Sequence, residues 1–220
     1  MSEIIDTYRT IQDSSIGEYK EKGSKFIAYA YEIENEVQFK EYLEQIKKEH
    51  FKARHHCFAY KIGLNEDNFR YNDDGEPGGT AGLPIFNQIK SYNLTNVAVI
   101  VVRYFGGTKL GVSGLIQAYK TATIEAFENT VIIEKHIENN IEIEYDFNHI
   151  GDIMKVINSM EITIIDNIYE ITPKIIVKTR KSMVDVFIIK LYATILNRNI
   201  DDITLEEKID GWTIKIIENV

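Results

Sequence analysis

Residues 96–127, NVAVIVVRYFGGTKLGVSGLIQAYKTATIEAF, restrict the fold more than any other stretch of this chain. Positions 97–102 form an unbroken apolar run. Without polar alternation, such a run suits a central strand covered on both faces, with Arg103 at its carboxyl end. Gly106, Gly107, Gly111 and Gly114 then free the backbone for tight turns, and Leu115, Ala118, Ala122 and Ala126 recur at the spacing of one helix face. Small residues on that face predict a helix lying close to a sheet. A strand, a glycine turn, Arg103, Lys109 and a helix start together make a candidate cradle of backbone N–H groups for an anion. The competing reading is structural: the glycines shape a turn and Arg103 pairs with a nearby carboxylate.

Neither common nucleotide fingerprint is present. A Walker loop needs glycine directly before its lysine and Ser or Thr after it, whereas Lys109 lies between Thr108 and Leu110. The glycine spacing does not supply G-x-G-x-x-G either.

The chain has 220 residues, room for one large domain or two small ones. No segment is long and apolar enough to span a membrane, and the amino terminus lacks a signal-peptide pattern, so a cytoplasmic protein is expected. Cys57 is the only cysteine, which rules out an internal disulfide and suits a reducing compartment. The net charge of −9 is concentrated in residues 138–220, where 15 acidic residues face 9 basic ones. A broad acidic surface opposes strong nonspecific nucleic-acid binding, so any basic groove belongs to the first half.

In chain order, β-rich segments at 7–11, 16–20 and 26–31 look like hairpins. Asn35 with Gln38 makes a capping-box start for a helix carrying Phe39, Leu43 and Ile46. Residues 54–60, RHHCFAY, read as a strand with His55, Cys57 and Ala59 on one face and His56, Phe58 and Tyr60 on the other. His55 and Cys57 lack the further ligands of a tetrahedral metal site. After a turn at 65–68 comes DDGEPGGTAGLP, residues 73–84. Asp73, Asp74 and Glu76 could hold a hard cation, but turn and capping chemistry is the weightier reading. Thr80 is expected to cap a helix carrying Ile85, Phe86 and Ile89. Residues 134–140 read as a polar connection. Beyond it the order βαββαβ describes a ferredoxin-like unit, an antiparallel sheet with two helices on one face. Trp212, at the start of its last strand, reads as packing.

The stretches RHHCFAY (54–60), DDGEPGGTAGLP (73–84) and VVRYFGGTKLGVSGLIQAY (101–119) closely resemble the IMPACT/YigZ family, along the whole chain. The resemblance implies an α+β protein of two domains. Residues 1–135 would form the IMPACT-type domain, similar to domain 2 of ribosomal protein S5. Residues 138–220 would form a ferredoxin-like domain similar to domain V of elongation factor G. It implies a setting in translation: eukaryotic relatives interfere with activation of a kinase that phosphorylates an initiation factor, and the bacterial form is suspected of contacting nucleic acid or ribosomes. The ligand- or anion-binding candidates are His55, Asp74, Glu76, Thr80, Arg103, Gly106, Gly107 and Lys109, with no catalytic residue, metal or cofactor assigned. Gly78 stands where many relatives have Ser, Ser113 where many have Gly, and Leu83 where many have a basic residue. A hydroxyl at position 78 therefore does no obligatory chemistry here.

Three functions compete. The leading one is a noncatalytic regulatory or binding protein linked to translation, holding RNA or the ribosome through its first domain. There Arg103, Lys109 and the glycine turns would position phosphates without reading bases, so no DNA sequence reader is expected, and Tyr104 and Phe105 would stack on unpaired bases or pack in the core. The second is an enzyme acting on a phosphorylated or carbonyl compound, with His55 as acid or base, Asp74 or Glu76 as its partner, and Arg103 in the anion-holding loop. The third is a protein-interaction module whose partner is a translation-control protein.

Overall fold

The computed structural model describes residues 6–65 and 67–218, so Glu66 of the expected turn at 65–68 lies outside the described residues. Two compact units emerge, one of residues Tyr8–Lys135 and one of His136 onward together with Asp6 and Thr7. The fold is α+β, and the described strand pairs of the two larger sheets are antiparallel.

In chain order the first part of the molecule contains β1 (Thr7–Ile11), β2 (Ser15–Glu21), β3 (Ser24–Glu32), α1 (Glu36–Glu49), β4 (His55–Lys61) and β5 (Phe69–Asn72). There follow α2 (Gly82–Ser91), β6 (Val97–Tyr104), α3 (Gly111–Glu128) and β7 (Ile132–His136). A five-stranded sheet runs β2-β3-β6-β4-β5, with β6 at its centre. Every residue from Val97 to Val102 is fully buried because the sheet is covered on both sides. Val97, Val99 and Val101 meet α2 and α3, while Ala98, Ile100 and Val102 join the cluster containing Phe39 and Ile46 of α1. Fully burying each large aliphatic side chain of that strand is worth about 1.5–3 kcal/mol over leaving it exposed.

Local chemistry explains the helices. Asn35 accepts the N–H groups of Val37 and Gln38, and the Gln38 side chain accepts the N–H of Glu34, so the expected capping residues do start α1. On α3 the face of Leu115, Ala118, Ala122 and Ala126 is buried. It lies so close to β2 that a Cβ on Gly17 would come 2.3 Å from the Ala126 nitrogen. Only glycine permits that approach.

Two expectations are corrected. The segment at 7–11 does not pair as a hairpin; β1 forms a two-stranded sheet with β7, and Thr10 donates to the carbonyl of Asn96. Strand-like composition says that a partner is needed and leaves its identity open. Residues 134–140 are not a polar connection: 134–136 end β7 and 138–140 begin the next strand, with Ile137 alone between them, and polar side chains of β7 are held by partners, Lys135 pairing with Glu32 and His136 lying 3.2 Å from the Thr7 hydroxyl.

The second unit contains β8 (Glu138–Glu144), α4 (Ile150–Ser159), β9 (Thr163–Ile168), β10 (Lys174–Arg180), α5 (Val184–Leu196) and β11 (Thr213–Glu218). Its sheet order, β11-β8-β10-β9, is that of the ferredoxin-like βαββαβ arrangement. Ile141, Ile143, Ile175 and Val177 alternate inward against Ile153 and Ile157 of α4 and Phe187 and Leu191 of α5. The opposite face carries ion pairs such as Lys174–Glu144 at 2.6 Å, which suits contact with water. Among the described residues no helix is long and apolar enough to cross a membrane.

A candidate anion-binding cleft

The pairing of β4 with β6 sets His55 directly opposite Arg103 at one end of the sheet. Around that end opens a cleft of ≈ 850 Å³. Its walls come from the segment leading into β4 and its first residue (Lys52, Arg54, His55), the turn after β5 (Glu76, Pro77), the end of β6 and the residue after it (Arg103, Tyr104, Phe105), and the loop into α3 with that helix's first turn (Lys109, Leu110, Gly111, Val112). Of the expected residues, His55, Glu76, Arg103 and Lys109 meet there. Asp74, Thr80, Gly106 and Gly107 do not line it.

The turn from Asp73 to Gly82 is built on one carboxylate. Asp73 Oδ1 accepts the N–H groups of Ala81 (2.9 Å) and Gly82 (2.8 Å), and Oδ2 accepts that of Gly79 (2.9 Å). Asp73 therefore satisfies the start of α2 from eight residues upstream of the helix N-cap, Ala81. Thr80, expected to cap that helix, is buried and donates to the carbonyl of Pro77 at 2.7 Å. The reason is geometric: position 81 is the cap, so the Thr80 hydroxyl lies one residue too early.

Asp74 holds the neighbouring histidines. Its Oδ2 accepts the His56 N–H at 2.6 Å, and its carbonyl lies 2.8 Å from His55 Nδ1. Since a carbonyl only accepts, His55 donates from Nδ1, and its Nε2 has no described partner. Asp74 itself has φ +39°, and Gly75 after it φ +83°, with the His55 ring 3.5 Å from where a Cβ would sit.

Beneath the cleft lies a buried polar chain. Glu76 Oε1 accepts from Arg103 Nη1 at 2.6 Å and from the Tyr119 hydroxyl at 2.8 Å. The Cys57 thiol faces both the Tyr119 oxygen at 3.3 Å and the Asp73 carbonyl at 3.0 Å. Burial pushes the Cys57 thiol and the Tyr119 hydroxyl well above their ordinary ranges, so both stay protonated and the thiol is a poor nucleophile. The structural expectation for Arg103, pairing with a carboxylate, is met by Glu76. Yet the ion pair takes only part of the guanidinium, whose Nε is buried without a partner. The plane lies over Phe26 (5.4 Å) and Phe105 (5.5 Å).

The two aromatics at the rim have different tasks. Tyr104 donates to or accepts from His50 Nδ1 at 2.9 Å, and His50 Nε2 lies 2.6 Å from the Tyr29 hydroxyl, which burial pushes up to about 12. Tyr104 is thus tied into the sheet. Phe105 is 57% exposed and available to a ligand. In the following loop the N–H of Gly106 is committed to Ser24 Oγ at 3.1 Å, and a Cβ there would lie 1.9 Å from the Gly23 carbonyl carbon. Gly106 therefore serves close packing. Gly107 (φ +88°) and Gly111 (φ +77°) face open space, and α3 begins with no side-chain cap.

Charge singles out this end of the molecule. No described carboxylate forms an ion pair with Lys52, Arg54 or Lys109, and Glu76, the only acidic residue on the walls, is paired with Arg103. Lys52 and Arg54 were not among the sequence candidates. A signal for them exists: residues 50–65 and 77–124, which supply all of the walls except Glu76, contain no Asp or Glu. Among the described residues no three His, Cys, Asp or Glu side chains gather as metal ligands.

The sequence model described as the Impact N-terminal domain matches residues 22–127. The IMPACT family member YvyE of Bacillus subtilis is 35% identical over 150 residues, covering 68% of this chain and 69% of that protein. The IMPACT family member YigZ of Escherichia coli is 30% identical over 151 residues, covering 68% and 74% respectively. A crystal structure of a hypothetical protein shares the fold, with a TM-score of 0.68 at 23% identity over 99% of both chains.

Proposed function

The chain belongs to the IMPACT family, and from that membership we propose that it is a noncatalytic binding protein whose cleft holds the sugar-phosphate backbone of single-stranded RNA. One observation carries the reading: Lys52, Arg54 and Lys109 converge on a single cleft with no carboxylate partner among the described residues, on a chain whose net charge is −9. In such a field a phosphate backbone is attracted locally while the rest of the surface repels it. Exposed Phe105, backed by the Arg103 guanidinium, offers a stacking face for an unpaired base. The walls contain no serine, threonine or cysteine to act as nucleophile. The resemblance of its motifs to the family supports a setting in translation, with RNA or the ribosome as partner.

Binding of a short single-stranded oligoribonucleotide across a salt series tests this. Affinity should fall steeply with salt, and Lys52→Ala, Arg54→Ala and Lys109→Ala should each weaken binding and lower the salt slope by roughly one. Unchanged slopes would sink the reading. The second reading, an enzyme on a phosphorylated or carbonyl compound, is favoured by the unpartnered Nε2 of His55 beside Arg103. Turnover of such a compound that is lost in His55→Gln would replace the first proposal with this one.

A further inference from the structure

We propose that the α3 end of the cleft is a subsite for a terminal phosphomonoester, so that the protein takes RNA by a phosphorylated strand end. This rests on the reading of the cleft as an RNA site.

Two independent features meet there. The first is the start of α3, an 18-residue helix whose opening N–H groups have no side-chain cap and whose Leu110, Gly111 and Val112 form part of the wall. Unpaired N–H groups and the helix dipole favour an anion at that point. Gly111 keeps it open, since a Cβ there would meet nothing within 4 Å. The second is Arg103, which lines the same cleft. Its side chain is 7% exposed and commits Nη1 to Glu76, while Nε is buried with no partner. A buried, incompletely bonded guanidinium is costly unless a further acceptor completes it.

Lys109, one residue before the helix cap, adds a cation with no described carboxylate. With Arg103 balanced by Glu76, Lys109 and the helix start still supply more positive charge than the single negative charge of a phosphodiester neutralises. A terminal monoester brings a charge of about −1.5 to −2 and three acceptor oxygens, because its second proton is lost near pH 6. The Phe105 ring over Arg103 favours a nucleotide as the carrier of that phosphate over a phosphorylated side chain.

The test uses the full chain and three fluorescent pentaribonucleotides of one sequence, bearing a 5′-phosphate, a 3′-phosphate or hydroxyls at both ends, at constant salt. One phosphorylated end should tighten binding about tenfold over the hydroxyl form. That gain should shrink below about pH 6 and be lost in Lys109→Met, but not in Lys120→Met on the exposed side of α3. Which end gives the gain identifies the source of the phosphate. Equal affinity for all three would overturn the subsite and leave the cleft reading standing. Absence of binding by any of them would overturn both. A gain that survives Lys109→Met as fully as Lys120→Met would also overturn the assignment to α3.

Discussion

Arg103 donates from Nη1 to Glu76 Oε1 across 2.6 Å, with both side chains buried. Glu76 also takes the Tyr119 hydroxyl, so this carboxylate joins the turn after β5, the end of β6 and the middle of α3. The cleft is therefore floored by a structural ion pair. Its net positive charge comes from Lys52, Arg54 and Lys109 around that floor.

Removing one member of such a pair strands the other. Glu76→Gln should destabilise the protein by about 3–5 kcal/mol in urea unfolding, and Tyr119→Phe, which removes the hydroxyl's bond to Glu76 and its weaker contact with the Cys57 thiol, by about 1–2 kcal/mol. A loss under about 1 kcal/mol for Glu76→Gln would mean that Glu76 is dispensable to the fold.

Asp73 is predicted to matter more than its neighbour Thr80. Asp73→Ala abandons three backbone N–H groups and should cost about 2 kcal/mol or more, whereas Thr80→Ala, losing one hydroxyl bond to Pro77, should cost about 1 kcal/mol. Equal losses by chemical denaturation would refute the capping assignment.

Adjacent glycines give a second contrast. Gly106→Ala drives a Cβ to 1.9 Å from the Gly23 carbonyl carbon and requires the β2–β3 turn to move. Gly107→Ala meets no atom and carries only the cost of φ +88°, about 1–2 kcal/mol. The first variant should lower the melting temperature further than the second.

Burial holds the His56 imidazole below its ordinary value near 6.5, against the opposing pull of Asp74 Oδ2 at 3.8 Å. The unfolded chain then takes up a proton at a higher pH than the folded one. Stability should fall as pH drops through about 6.5, by at most about 1.4 kcal/mol per unit, and level off once the folded imidazole also protonates. Lys47 and His50 add repulsion, and His56→Gln should flatten this part of the profile. An unchanged profile would contradict it.

Elements whose cause is local were legible in the sequence. The unbroken run before Arg103 declared a central strand, and Asn35 with Gln38 declared the start of α1. The βαββαβ order followed from the same patterning, and the α+β class of the whole from the family resemblance. What escaped depends on residues far apart in the chain. Gly106 reads as a flexible turn until Gly23 is found against it. Thr80 looks like a cap because capping rules consider neighbours, whereas Asp73 reaches α2 across a loop. Lys52 and Arg54 resemble ordinary surface cations until the fold sets them in one cleft with Arg103, although the absence of acid from residues 50–65 and 77–124 already hinted at one basic face.

The most direct test of the cleft is amide chemical-shift mapping of the full chain during titration with single-stranded oligoribonucleotide. The account predicts that the largest shifts fall on residues 52–55 and 103–112, saturating together. Shifts confined to other surfaces, or none at concentrations where binding is otherwise detected, would contradict it.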